Sequence, residues 1–219
     1  MRLIDLSMSI HPMWRWPAEI GLAMDFERGD PYRVTSLKAG MHFFTHVDTP
    51  LHIEPGRETI DQVELEKLCG PAAVITLGPI APNQAIGRGL LAERAGHIKP
   101  NDILILKTCW DLVRDYENRE YWTEAPYLDR DAAAWISELP VKAVGFDFPQ
   151  DYVLREIPER HPPVREMPTH DLILRRGIFL LEYLCNLDSV KADRVDIYAL
   201  PLKVAGAEGA CARVIAVEH

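Results

Sequence analysis

Long apolar runs are missing from this chain. None approaches the roughly 20 residues needed to span a bilayer, so no membrane-crossing helix is expected. The amino terminus, Met1-Arg-Leu-Ile-Asp5, carries an acid where a signal peptide would continue apolar, and the expected location is the cytoplasm. Basic charge is also short, with 24 Lys and Arg against 33 Asp and Glu and a net charge of −9. The cations are scattered rather than striped, which opposes binding to nucleic acid or to an anionic membrane. Cysteine is sparse: Cys69, Cys109, Cys185 and Cys211 lie far apart, form no CxxC pair and read as reduced packing residues. Nothing around them supplies the activating environment that a cysteine nucleophile needs. Internal repeats, low-complexity tracts and heptad runs are absent too.

What is left is an ordinary globular composition, 47% hydrophobic and 26% charged over 219 residues. That length suffices for one sizeable α/β domain spanning residues 1–219 and is short for two independent ones.

Against this background the stretch Gly40-Met-His-Phe-Phe-Thr-His-Val-Asp-Thr-Pro-Leu-His52 is unusual, with three imidazoles and a carboxylate within eleven residues. His42, His46 and Asp48 form an HxxxHxD triplet, the nitrogen and oxygen mixture that zinc or manganese accepts. His52 follows as a fourth polar group. Pro50 and the run of Phe, Thr and Val argue against a helix, and all four positions share one face of a strand. On a straight strand His42 and His46 would stand roughly 13 Å apart at about 3.3 Å per residue, long for one ion. The chain is therefore expected to bend between them, whereas His46 and Asp48, about 7 Å apart, need no bend.

Elsewhere helix and strand patterns alternate. Strands are expected at Arg2–Met8, at Arg33–Ala39 paired with the histidine segment, and at Ala72–Leu77, Asp102–Thr108, Lys142–Phe146 and Ile178–Leu184. Two more close the chain near 195–204 and 210–217. Helices are expected at Ile60–Cys69, capped by Thr59 and stopped by Gly70, at Asn83–Ala95, at Asp131–Leu139, and from a Thr169 cap to Arg176. Asp147 would stand at a strand's carboxyl end, where α/β sheets place ligand crevices, or serve only in a turn. The span 149–168 holds five prolines and reads as an ordered loop or lid. Trp14 and Trp16 lie in an irregular, proline-flanked segment, either packing on the core or walling a pocket for a flat ligand.

Glu182 sits inside the apolar run Phe-Leu-Leu-Glu-Tyr-Leu, so if buried it must be paired or bound to metal. His170 converges on it if helix and strand pack across the turn at Gly177. With the first cluster these make three His, one Asp and one Glu, enough for two adjacent ions that lower the pKa of a water and polarise a carbonyl. His52 would then be free to move a proton.

These residues resemble the cyclase family of metal-dependent hydrolases, whose bacterial kynurenine formamidases and isatin hydrolases carry an HxGTHxDxPxH motif. Here it stands as His42-Phe-Phe-Thr-His-Val-Asp-Thr-Pro-Leu-His52. The resemblance extends to Asp5-Leu-Ser7, Trp16-Pro17, Gly145-Phe-Asp147 and the spacing of His170 and Glu182. It implies a swivelling β/β/α fold, a mixed sheet flanked by helices, assembled as a homodimer or homotetramer. It implies that His42, His46 and Asp48 bind one divalent ion, Zn2+ or Mn2+, and that Asp48, His170 and Glu182 bind a second where two are held. His52 becomes the catalytic acid and base, and Trp16 contacts a small-molecule substrate, with N-formylkynurenine the best single choice and isatin-like cyclic amides or lactones the alternative. Two departures bear on the pocket: Trp-Pro-Ala-Glu replaces the family's Trp-Pro-Gly-Asp, and Phe44 stands where the motif has glycine. Phe44 is compatible with a negative φ and would then narrow the pocket as a substrate-binding residue. It also motivates a rival reading, a family member that binds metal or ligand without turnover.

Overall fold

The computed structural model describes residues 1–157 and 159–219. Pro158, one of the five prolines of the 149–168 span, lies outside the described residues. In chain order the elements are β1 (Arg2–Asp5), β2 (Glu19–Met24), β3 (Val34–Lys38), β4 (His46–Asp48), β5 (Cys69–Thr76), β6 (Ala85–Ile86), α1 (Arg88–Ala92), β7 (Ile103–Lys107), α2 (Trp110–Val113), α3 (Arg119–Thr123), β8 (Tyr127–Leu128), α4 (Arg130–Ser137), β9 (Ala143–Phe146), β10 (Phe179–Glu182), β11 (Arg194–Pro201) and β12 (Gly209–Glu218).

Eight strands form one mixed sheet in the order β1-β12-β11-β5-β7-β9-β10-β4. The apolar runs of β5, β7, β9 and β10 pair in parallel, as strands covered on both faces do. β4 is antiparallel to β10 on one side and to β12 on the other, so the sheet closes on itself as a barrel. Alternation divides the apolar residues between two cores. Val47, Val74, Ile103, Ile105, Ala143, Leu181, Ile197 and Val214 pack together on one face. Ile75, Leu104, Leu106, Val144, Phe146 and Leu180 face the other way, against α4 and the Trp110, Tyr121 and Trp122 cluster. His46, Asp48 and Glu182 flank Val47 and Leu181 in sequence and thus share this second face.

Several expectations from sequence need correction. No helix forms over Ile60–Cys69; a single 3-10 turn occupies Leu65–Lys67, and Cys69 already opens β5. Thr59 does not cap, because its hydroxyl donates to Asp61 at 2.6 Å, a local bond that competes with helix, while Asp61 also accepts the Gly206 N–H from a distant part of the chain. The helix expected at Asn83–Ala95 shrinks to α1, since Ala85 and Ile86 pair with β8. β3 pairs with β2 in a separate hairpin and not with the histidine segment. Thr169–Ile173 is a π-helical turn, followed by a 3-10 turn at Leu174–Arg176 that ends where Gly177 takes φ +85°. Among the described residues no helix is long and apolar enough to cross a membrane.

Candidate metal centre

The bend expected between His42 and His46 is present. Residues 41–45 leave strand geometry and Phe44 takes φ +49°, the left-handed region that favours glycine. Thr45 anchors the bend: its hydroxyl donates to the Tyr183 carbonyl at 2.6 Å and accepts the Met8 N–H at 2.9 Å. β4 then carries His46 and Asp48, and Glu182 of β10 lies directly across from His46. A 3-10 turn at Pro50–His52 brings His52 back, its ring centroid 3.9 Å from that of His42. The π-helical turn brings His170 to the same place, with Nε2 3.5 Å from Asp48 and 3.3 Å from Glu182.

His42, His46, Asp48, His52, His170, Glu182 and Trp16 all line one cavity of about 410 Å³. Phe44 does not. It is fully buried behind Trp16 at a ring distance of 4.6 Å, so the expectations of a negative φ and of a ring narrowing the pocket are both corrected. Asp147 is not at the cavity either; its carboxylate accepts from the Thr108 and Cys109 backbone and the Thr108 hydroxyl. Burial nonetheless pushes that carboxyl up to about 7. Trp14 lies away from the cavity and donates to the Glu117 carbonyl.

The two most buried imidazoles share one arrangement. Nδ1 of His46 faces the Phe44 carbonyl at 2.8 Å, and Nδ1 of His170 faces the Asp151 carboxylate at 2.7 Å. With Nδ1 of each ring held by an acceptor, Nε2 of each is aimed at Asp48 and Glu182, the orientation seen in metal-ligating histidines. Nε2 of His46 and Oδ2 of Asp48 are buried without a hydrogen-bond partner. Such orphans call for an ion or a water. His46, Asp48 and Glu182 offer donor atoms within 4.8 Å of one another, as do His42, Asp48 and His52. The donor set therefore fits a divalent ion, and nitrogen with carboxylate oxygen is chemistry that zinc and manganese both accept.

Electrostatics agree with a crowded polar site. Burial opposes protonation of His42, but the charge and hydrogen bond of Asp48, helped by Glu182 and Glu208, raise it to about 9. Burial likewise opposes His170, yet the Asp151 and Asp48 carboxylates lift it well above the usual value. Asp48 would be raised by burial, but the imidazoles around it hold it well below the usual carboxylate range. Glu182 is pushed up by burial and by the Asp48 charge. His52 is pushed down to about 4 by burial and by the neighbouring imidazoles, against the pull of Asp48, so it is neutral at pH 7.

Several members of the site escaped sequence reasoning. Gln150 donates to Glu182, and Asp151 holds His170 while accepting the Thr169 N–H and hydroxyl. Glu208 meets Nε2 of His42 at 3.0 Å. Gly209 faces Asp48 across the β4–β12 ladder, where an added Cβ would lie 2.7 Å from the Val47 carbonyl and 3.0 Å from the His42 ring. A signal existed only for Gln150 and Asp151, as polar residues in the odd run Phe148-Pro-Gln-Asp151; their partners lie elsewhere in the sequence.

Comparison with known proteins bears on this arrangement. The Cyclase family model matches residues 4–150. A kynurenine formamidase of Salinibacter ruber is 29% identical, covering 98% of this chain and 97% of that protein. A kynurenine formamidase of Paracidovorax citrulli is 32% identical over 84% of this chain and 80% of its own length. Among solved structures, isatin hydrolase A of Ralstonia solanacearum superposes with a TM-score of 0.78 at 23% identity, covering 99% of this chain and 92% of that one. Isatin hydrolase A of Labrenzia aggregata gives 0.79 at 20% identity, over 100% and 94%. At those identities the structural likeness speaks for the fold.

Proposed function

Since the chain belongs to the cyclase family of metal-dependent hydrolases, we propose that it hydrolyses a small aryl amide, with N-formylkynurenine the first choice of substrate and formate and the free aryl amine the products. It is a hydrolase of carbon–nitrogen bonds other than peptide bonds. The observation that carries the reading is the meeting, in one cavity, of two imidazole Nε2 atoms and two carboxylates with buried atoms left unpartnered.

His42, His46, Asp48, His170 and Glu182 are the proposed ligands of one or two ions, Zn2+ or Mn2+. A divalent ion there supplies Lewis acidity, lowering the pKa of a water and polarising the scissile carbonyl. His52, neutral at pH 7, accepts the proton of the attacking water and returns it to the departing nitrogen. Asp151 fixes the tautomer of His170, and Gln150 holds Glu182 in place. The rings of Trp16 and Tyr183, 5.4 Å apart, offer aromatic faces to the substrate. A single-domain enzyme working in the cytoplasm as a homodimer or homotetramer completes the proposal.

The deciding experiment is N-formylkynurenine hydrolysis by protein loaded separately with zinc and manganese, against a chelated control of known metal content. Chelator-sensitive turnover is expected. Metal-loaded protein that leaves N-formylkynurenine intact would sink the formamidase assignment and move the search to cyclic amides such as isatin. Failure on both substrates would favour the non-catalytic binder, with Phe44→Gly as the first reversion.

A further inference from the structure

Arg15 lines the same cavity as the metal-site residues. Its guanidinium lies over the Trp122 ring with Cζ 4.3 Å from the centroid, and its Nη2 donates to the Leu154 carbonyl at 2.8 Å. Nη1 is buried without a hydrogen-bond partner. Among the described residues no carboxylate forms an ion pair with it. The two acids lining the cavity, Asp48 and Glu182, are committed to the imidazoles. A guanidinium stays charged at every physiological pH, and its fork of five N–H groups matches a carboxylate in two-point contact. The side chain is half-buried, and a guanidinium held against tryptophan with a buried donor to spare and no acid opposite is matched to an anionic ligand.

Resting on the amide-hydrolase reading above, we propose that Arg15 is a specificity-determining residue that binds a carboxylate carried by the substrate, away from the scissile carbonyl. The wall between it and the metal ligands is aromatic. The Tyr183 ring stands 5.5 Å from His46 on one side and 5.1 Å from Trp122 on the other. An aryl amide bearing an acidic side chain then lays its ring along this wall, carbonyl toward the histidines and carboxylate toward Arg15. Neutral aryl amides, isatin included, leave the guanidinium without a partner. A mere brace for the loop at Leu154 uses one N–H and predicts no such discrimination.

The test measures kcat and KM of metal-loaded protein with N-formylkynurenine and with its carboxamide, in wild type, Arg15→Gln and Arg15→Lys. Wild type should favour the acid, and Arg15→Gln should cut kcat/KM for the acid by roughly 10- to 100-fold, the range of a hydrogen bond to a charged group. The loss should fall mainly on KM, change the carboxamide far less, and be partly rescued in Arg15→Lys. Equal losses on both substrates would overturn the proposal and leave Arg15 as a loop brace. Should neither formamide be hydrolysed, the amide-hydrolase reading fails separately, and calorimetry decides on Arg15 alone. Kynurenine should then bind wild type more tightly than its carboxamide does, with the difference abolished in Arg15→Gln. A preference unchanged in that variant would mean the carboxylate is captured at the metal ligands instead.

Discussion

Each imidazole of the centre is defined by what its second nitrogen holds. Asp151 accepts from Nδ1 of His170 and is itself pinned by the Thr169 N–H and hydroxyl, so the ring cannot rotate or change tautomer cheaply. Asp151→Asn should weaken metal binding about 10- to 100-fold, read by metal titration, with the circular dichroism spectrum unchanged. His52 has a different place, beside the buried donors and not among them. His52→Ala should abolish turnover while metal content stays nearly intact; if metal is lost instead, His52 is a ligand, as its closeness to His42 and Asp48 permits. Phe44 sets two energies against each other. Its left-handed φ costs ~1–2 kcal/mol, whereas losing a fully buried ring costs about 3–5 kcal/mol. The second is larger, so Phe44→Gly should lower the melting temperature even though it restores the family's residue, and it should loosen Trp16, which leans on that ring.

At the scale of elements, β4 is only three residues long yet pairs on both sides, and its neighbours decide whether the site can exist. Gly209 of β12 leaves the space that the His42 ring and Asp48 occupy. A methyl there meets a backbone carbonyl, which has little freedom to retreat, so Gly209→Ala should reduce metal content sharply, measured by metal analysis of the purified variant. Farther off, Asp102 at the start of β7 receives both Nη groups of Arg194 at 2.8 Å and the Lys99 N–H at 2.7 Å. Burial alone would raise its pKa, but these donors hold it below the usual carboxylate value. A lowered folded pKa gives stability that is full above the unfolded value, about 3.9, and is lost as pH falls through the folded one. Asp102→Asn should therefore flatten the loss of stability below about pH 4, visible in denaturant melts across that range.

For the molecule as a whole, the legible part of the sequence was the local part. The histidine triplet, the parity of His46 with Asp48 and the apolar strands 72–77 and 102–108 are written in adjacent residues, and they stand within a residue or a few of where the structure has them. Barrel closure was not readable, because it depends on β12 meeting a strand more than 150 positions earlier in the chain, and no period in the sequence encodes that partner. The same reason hid Gly209 and Glu208. The false helix at 60–69 arose from the cap and stop signals of Thr59 and Gly70, whereas Ile60, Val63 and Leu68 are buried in irregular chain. The β4 seam has one more consequence. His46 and Asp48 sit on the strand that joins β10 to β12, so an ion bound there opposes the seam's opening and stabilises the fold by mass action. Amide exchange at residues 46–48 should slow on metal addition more than exchange in β5; equal slowing would mean that the ion tightens the barrel uniformly. In a cell starved of the metal, the chain would open more often at this seam and be cleared faster by proteases, so metal supply would set how much enzyme persists as well as how fast it works.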